Sequence, residues 1–351
     1  MAIEDLDLQD RKILFELDKN SRITFKELGK KLHISKETAS FRVKRLANEG
    51  YIKNFITTIN VSKLNRFYYK MFYKFHKTTP AIDLEIITFV QNYRAVAYFA
   101  GLEGRYDITF LLLSKNFSDL YKFLVPFRER FGEYILEQEI LTLTSTHRFN
   151  FRFFFERETE LVHTKYPEEL KEPDIDQIDY QILANLAKNS RIPLIELAKI
   201  TKTETNVVKY RIKKLLKEGI IGTNVLDVNF EKFKIQQIQV DFTLKDHSVT
   251  SKLIDFVAQN PKSTFATITL GKYDLAVEFV VQGTKELRKI LSEIKEKFSQ
   301  DIINHDIFIM EEHIVNWFPY KPEKSFFDLK PFKGKDKDAS STVDEIVYGG
   351  K

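Results

Sequence analysis

Apolar positions along the chain recur at two spacings, every three to four residues and every second residue, and the switches between them mark out elements. From residue 10 to 19 (DRKILFELDK) Ile13, Leu14 and Leu17 share one helical face, and from 25 to 32 (FKELGKKL) Leu28 and Leu32 do the same. The next stretch, ISKETASFRVKRLANEG from Ile34 to Gly50, opens on Ser35, whose side-chain oxygen can cap a helix start. It turns Ala39, Val43 and Leu46 to one side and ends on Gly50, suited to the left-handed turn after a helix. Lys36, Glu37, Ser40, Arg42, Lys44 and Arg45 lie off the apolar stripe. Three short amphipathic helices with a basic third one predict a helix-turn-helix whose third helix enters the major groove. The aromatic and β-branched run after Gly50, YIKNFITTINV, predicts a strand or wing. A small helical bundle with a charged, solvated face would give the same pattern in any single helix.

What decides for the helix-turn-helix is that the block occurs twice. Asn20-Ser21-Arg22-Ile23 is matched by Asn189-Ser190-Arg191-Ile192, Glu27-Leu28 by Glu196-Leu197, and Arg42 by Arg211. Leu46, Glu49, Gly50 and Ile52 reappear as Leu215, Glu218, Gly219 and Ile221, every pair 169 residues apart (191 − 22, 221 − 52). Between the blocks the pattern changes to strand (67–77), helix (80–93), two strands (95–102 and 106–113), helix (116–132) and a last strand to 147. This βαββαβ order predicts a ferredoxin-like antiparallel sheet with both helices on one face. The same order follows the second block, from Ile235 to Val315, with Gly104-Arg105-Tyr106-Asp107 matched by Gly271-Lys272-Tyr273-Asp274.

The expected class is therefore α+β, with two winged helix-turn-helix domains (1–60 and 174–229) alternating with two ferredoxin-like domains (61–155 and 230–318). Residues 156–173, charged and bounded by proline, read as a linker, and 319–351 as a polar tail in which Phe326, Phe327, Leu329 and Phe332 could dock on the body. The open, apolar sheet faces around 67–75, 108–112, 238–242 and 276–280 would stay wet unless covered, so the two ferredoxin-like domains are expected to pack as an intramolecular pseudo-dimer.

Composition narrows the function classes. With 43% hydrophobic and 30% charged residues and no run of transmembrane character, a globular, cytoplasmic protein is expected. The absence of cysteine excludes disulfides and thiolate chemistry. The net charge of +5 is modest for a nucleic-acid binder, but the basic excess concentrates in the two third helices. No two histidines have ligand spacing within one element, so neither metal nor cofactor is expected.

The pattern Asp-x-x-Ile-Leu…Asn-x-Arg…Glu-Leu…Arg-Val-x-x-Leu…Glu-Gly-x-Ile, followed by βαββαβ with Gly-x-Tyr-Asp in its hairpin, resembles the Lrp/AsnC (feast/famine) family. The resemblance runs from residue 6 to about 318 and implies a prokaryotic transcription regulator that binds double-stranded DNA, with a second domain that takes a small effector such as an amino acid. The usual member carries one copy and dimerises; here two copies are fused, and further homo-oligomers stay open. At the turn before each third helix the family usually has glycine, where this chain has His33 and Lys202, so both are expected at positive φ. Where the family often has another arginine, this chain has Phe41 and Tyr210, which can touch a thymine methyl but cannot grip guanine.

On this reading Lys36, Glu37, Ser40, Phe41 and Lys44 face base edges, as do Thr205, Asn206, Lys209, Tyr210 and Lys213; Arg42, Arg45, Arg211 and Lys214 meet phosphates. The resemblance implies effector contacts near Gly104, Asp107, Gly271 and Asp274, although glycine there can also simply supply a turn. Siroheme decarboxylases resemble the same family in fold and in pairing two units. An enzyme of that kind is the alternative, with His147, Arg148, His313 and Tyr273 as the available acid–base or propionate-binding groups.

Overall fold

The computed structural model describes residues 6–155, 160–166, 170–316, and 318 and 319. The expected tail contacts of Phe326, Phe327, Leu329 and Phe332 lie outside the described residues. In chain order the first repeat comprises helices α1 (Leu8–Lys19), α2 (Phe25–Leu32) and α3 (Lys36–Asn48), strands β1 (Ile52–Ile59) and β2 (Phe67–Phe75), helix α4 (Pro80–Asn92), strands β3 (Val96–Glu103) and β4 (Ile108–Ser114), helix α5 (Phe117–Phe131) and strand β5 (Ile135–Phe149). A short strand β6 (His163–Tyr166) follows. The second repeat comprises α6 (Gln177–Lys188), α7 (Leu194–Thr201), α8 (Thr205–Lys217), β7 (Ile221–Val228), β8 (Gln236–Leu244), α9 (Thr250–Gln259), β9 (Ser263–Leu270), β10 (Leu275–Val281), α10 (Thr284–Phe298) and β11 (Ile302–Val315).

Local chemistry sets the helix starts. Asp7 and Ser35 cap α1 and α3, and Thr24 with Glu27 forms a capping box on α2. His33 and Lys202 take the left-handed conformation at φ 55° and 53°, as expected for the turn before each third helix. The stretch read as a linker is structured in part, because residues 163–166 pair with β5 as β6.

The two repeats are interwoven. Strands β1 and β7 pair antiparallel, with Ile56 opposite Val225, its own equivalent in the other repeat. The buried hydroxyls of Ser21 and Ser190, again equivalents, meet at 2.7 Å. A pseudo-two-fold axis therefore passes through the ribbon of wings. Each helix-turn-helix core is completed across this axis. Leu14, Leu28, Val43 and Leu46 pack with Leu226 and Val228 of β7, while Leu183, Leu197, Val208 and Leu215 pack with Ile59, Val61 and Leu64 of the first repeat.

Each ferredoxin-like sheet has the expected strand order, β5-β2-β4-β3 and β11-β8-β10-β9. The sheets are also joined at both edges, which goes beyond face-to-face packing. Strand β3 pairs with β11, and β9 with β5, so eight antiparallel strands close into one barrel in which each is paired on both sides. Helices α4 and α5 cover one half from outside, α9 and α10 the other. Closure also reassigns the apolar face of β8. Ile238, Val240 and Phe242 pack with apolar residues of α9 and α10, and the alternate residues Gln237, Gln239 and Asp241 are buried on its other face.

Candidate nucleic-acid interface

The residues expected to read DNA stand out from the buried stripes of α3 and α8. Lys36, Glu37, Phe41 and Lys44 are exposed and Ser40 is half-buried; Thr205, Asn206, Lys209, Tyr210 and Lys213 are all exposed. Phe41 and Tyr210, at equivalent positions, are 66% and 69% exposed. Large rings left this open on the outer face of a short helix offer contact area to a partner.

The four residues expected at phosphates are otherwise engaged. Arg42 Nη1 donates to Asp7 at 2.6 Å and to Asp10 at 2.9 Å, and Arg45 pairs with the same Asp10 carboxylate. In the second repeat Arg211 reaches Asp176 at 2.8 Å and Asp179 at 3.0 Å, and Lys214 reaches Asp174 at 3.2 Å. These pairs brace each recognition helix against the first helix of its own unit. Burial would raise the Asp7 carboxyl, but the Arg42 guanidinium outweighs it and holds that group below the usual carboxylate range. The sequence signal for this brace was Asp10 and Asp179, repeated at the same offset as the arginines.

The unit pair is also clamped unevenly. Arg191 Nε and Nη2 donate to the carbonyls of Ser21 and Ile23, and its guanidinium stacks over Phe25 and Phe55. The equivalents of those rings beside Arg22 are Leu194 and Asn224, so the same stacking cannot form on the other side.

The two Gly-x-Tyr-Asp hairpins meet at one end of the barrel. Asp107 accepts from the Phe75 amide at 2.7 Å and from Lys74, and Asp274 accepts from the Leu244 amide at 2.7 Å, so each pins its hairpin to a neighbouring strand. Gly104 and Gly271, both at φ 142°, abut the other repeat. A Cβ on Gly104 would lie 2.7 Å from the Ile307 carbonyl, and one on Gly271 2.6 Å from Leu141. Tyr106 donates to Glu137, Tyr273 donates to Asp306, and Lys272 bridges to the Tyr106 hydroxyl at 3.0 Å. Of the four residues expected near an effector, Gly104 and Gly271 thus have structural work at the intramolecular seam, and Asp107 and Asp274 within their own repeats.

The groups available to an enzyme have separate neighbours. His147 Nδ1 lies 2.7 Å from His163 Nε2, and burial pushes His147 down to about 4. Arg148 is paired with the buried Asp18, whereas Tyr273 sits at the hairpin seam. The side chain of His313 lies outside what is described. Among the described residues no group of three or more His, Asp or Glu is placed to hold a metal.

A winged helix-turn-helix DNA-binding family model matches residues 6–53 and again 175–221. The chain is 28% identical over 124 residues to the HTH-type transcriptional regulator FL11 of Pyrococcus furiosus, covering 33% of this chain and 78% of that protein. It is 44% identical over 59 residues to the HTH-type transcriptional regulator LrpA of Bacillus subtilis, covering 17% and 43%. The chain thus carries two matches to a winged helix-turn-helix DNA-binding unit and is similar in sequence to HTH-type transcriptional regulators. A likeness in fold extends along most of it: the siroheme decarboxylase NirDL superposes with a TM-score of 0.58 at 13% identity, covering 88% of this chain and 94% of that one. Sequence reasoning missed the brace on the recognition helices and the polar barrel interior. It placed the residues expected to read DNA on the faces that the structure leaves open, which needs only helical spacing.

Among the described residues, no helix is long and apolar enough to cross a membrane.

Proposed function

We propose that the chain is a sequence-preferring duplex-DNA-binding transcription regulator whose two helix-turn-helix units act as one pair, modulated by a small effector such as an amino acid. The observation that carries this reading is the repeated recognition helix. Each presents lysine and one open aromatic ring on its outward face, and one ribbon of wings holds both. Base contacts fall to Lys36, Glu37, Ser40, Phe41 and Lys44, and to Thr205, Asn206, Lys209, Tyr210 and Lys213. Because Arg42, Arg45, Arg211 and Lys214 are paired with carboxylates, the exposed Lys44, Lys209 and Lys213, named above among the base-facing residues, are also the readier cations for a neighbouring phosphate. Replacing Lys44 and Lys213 together by alanine should weaken binding to a selected duplex. Each phosphate contact removed should flatten the log–log salt slope by about 0.9. An unchanged affinity and slope would remove both helices from the interface.

A second reading is a tetrapyrrole enzyme, supported by the shared fold of a siroheme decarboxylase, solved also in co-complex with an iron-uroporphyrin III analogue. The two basic recognition helices and the buried acids of the barrel weigh against it, since a polycarboxylate ligand would meet like charge there. Incubation with an iron uroporphyrin decides: a stoichiometric shifted absorbance band would support the enzyme, and an unshifted spectrum the regulator.

A further inference from the structure

Inside the barrel, repeat equivalents face each other in a cluster that a dimer of identical chains could not build. Lys70 on β2 donates its ammonium to the side-chain carbonyl of Gln239 on β8, its own equivalent. Around this pair the first repeat supplies Tyr68, Phe72 and Leu111, and the equivalent positions of the second are Gln237, Asp241 and Glu278. At these three positions the first repeat is aromatic or aliphatic, and the second carries acids and amides. Gln239 Nε2 donates to Asp241 at 2.6 Å, and Gln237 Nε2 donates to Glu278 at 3.1 Å.

Tyr68, Lys70, Leu111, Gln237 and Glu278 line a cavity of about 590 Å³ that extends to the wing ribbon, where Ile56, Thr58, Val225 and Asp227 face it. That volume suits an organic molecule rather than solvent alone. Most of the remaining wall is apolar or hydroxylic, with Leu143, Phe265 and Ala276 among a row of threonines. Arg66 and Arg148 also line it, and Arg148 is committed to Asp18.

Two independent features define what the polar end would take. Gln237 is only 6% exposed, and its Oε1 is buried without a hydrogen-bond partner. Its amide nitrogen is used on Glu278, so the unpaired atom is an acceptor and requires a donor. Charge gives the second. Lys70, 7% exposed, is the cation that bears on both Asp241 and Glu278, and one cation cannot neutralise two buried carboxylates when both ionise. A ligand that brings a positive charge and N–H donors answers both.

We propose that this cavity binds a small organic cation, a primary ammonium directed at Gln237 and Glu278 on an apolar, aromatic-sized body lying against Tyr68, Leu143 and Phe265. Burial pushes both Glu278 and Asp241 up, Asp241 to about 7, and an incoming ammonium would ease their ionisation. The ribbon that borders the cavity also completes both helix-turn-helix cores, so an occupant touches the element on which both units are built. That regulatory consequence rests on the reading as a DNA-binding regulator; binding itself does not.

The test uses the full chain and two fluorescent probes of one body. Dansylcadaverine ends in an ammonium; dansylated aminohexanoic acid ends in a carboxylate on an arm of similar length. The ammonium probe should bind saturably with a blue-shifted emission, and the carboxylate probe about tenfold more weakly or worse. Glu278→Gln keeps the side-chain size, removes the charge, and should weaken the ammonium probe about tenfold while sparing the other. Ala276→Phe should fill the cavity and exclude both; should it fail to fold, the Glu278→Gln comparison decides alone. Failure of the ammonium probe to bind, equal affinity for the two, or an ammonium probe indifferent to Glu278→Gln would overturn the proposal. DNA binding is measured on the chain without probe, so the two readings can fail separately.

Discussion

Arg42 and Arg211 show how a residue expected at a phosphate can also hold a helix in place. Each sits midway along a recognition helix and reaches to two acids at the start of its unit's first helix, one of them buried (Asp10 or Asp179). Arg42→Ala leaves the buried Asp10 with one partner fewer and should cost about 1–3 kcal/mol of stability. Lys44→Ala, on an exposed side chain, should leave the melting temperature in place and act on DNA affinity alone. Equal melting temperatures for the two variants would contradict the brace. Asp241 offers a test by pH. The folded chain holds its proton up to about 7, whereas an unfolded aspartate releases it near 3.8. The folded state therefore binds more protons inside that window, and stability falls as pH rises through it. The groups that face Asp241 are Lys70 on β2, Gln239 on its own strand, Glu278 on β10 and Asp306 on β11. Asp241→Asn removes this one titration. Its melting temperature should gain on the wild type by a margin that widens from about pH 5 to about pH 8. A constant margin would show that Asp241 does not titrate there.

At the scale of elements, the helices and strands were legible because each carries its own periodicity and caps. Ser35, Gly50, the Gly104 and Gly271 hairpins and the 169-residue repeat all act locally or by self-similarity. What pairs with the sheet edges was not legible. Nothing in Val96–Glu103 distinguishes a solvated edge from one that meets β11, because edge pairing is made by backbone groups common to every residue. The polar face of β8 was written in plain alternation, Gln237, Gln239 and Asp241 between Ile238, Val240 and Phe242. Its direction depended on knowing that helices, and not the opposite sheet, take the apolar side. The interweaving carries its own prediction. A single repeat, residues 1–155, would leave β3 and β5 as open edges and deprive its helix-turn-helix core of Leu226, Val228 and Phe233. Expressed alone it should aggregate or self-associate, and sedimentation would show it. A stable monomer would contradict the shared core.

The whole molecule differs from a homodimer in having lost identity between its halves. Lys36-Glu37 faces outward in one unit and Thr205-Asn206 in the other, with Ser40-Phe41 against Lys209-Tyr210. Asparagine can pair bidentately with adenine, whereas glutamate only accepts, for instance from a cytosine amine. A homodimer favours an inverted repeat, while two unlike recognition helices on one pseudo-dyad favour two unlike half-sites about one helical turn apart. Fusion also makes the second contact intramolecular, so disabling either helix should cost far more than half the affinity. The most direct measurement of the central claim is selection of bound fragments from genomic DNA by the full chain. It is run beside a variant in which residues 36–44 and 205–213 are exchanged. The expected result is an enriched motif of two unlike halves that trade places in the variant. No enrichment at all would contradict DNA reading by this chain, and a perfect palindrome bound by one chain per site, unchanged by the exchange, would contradict the separate reading roles of its two recognition helices.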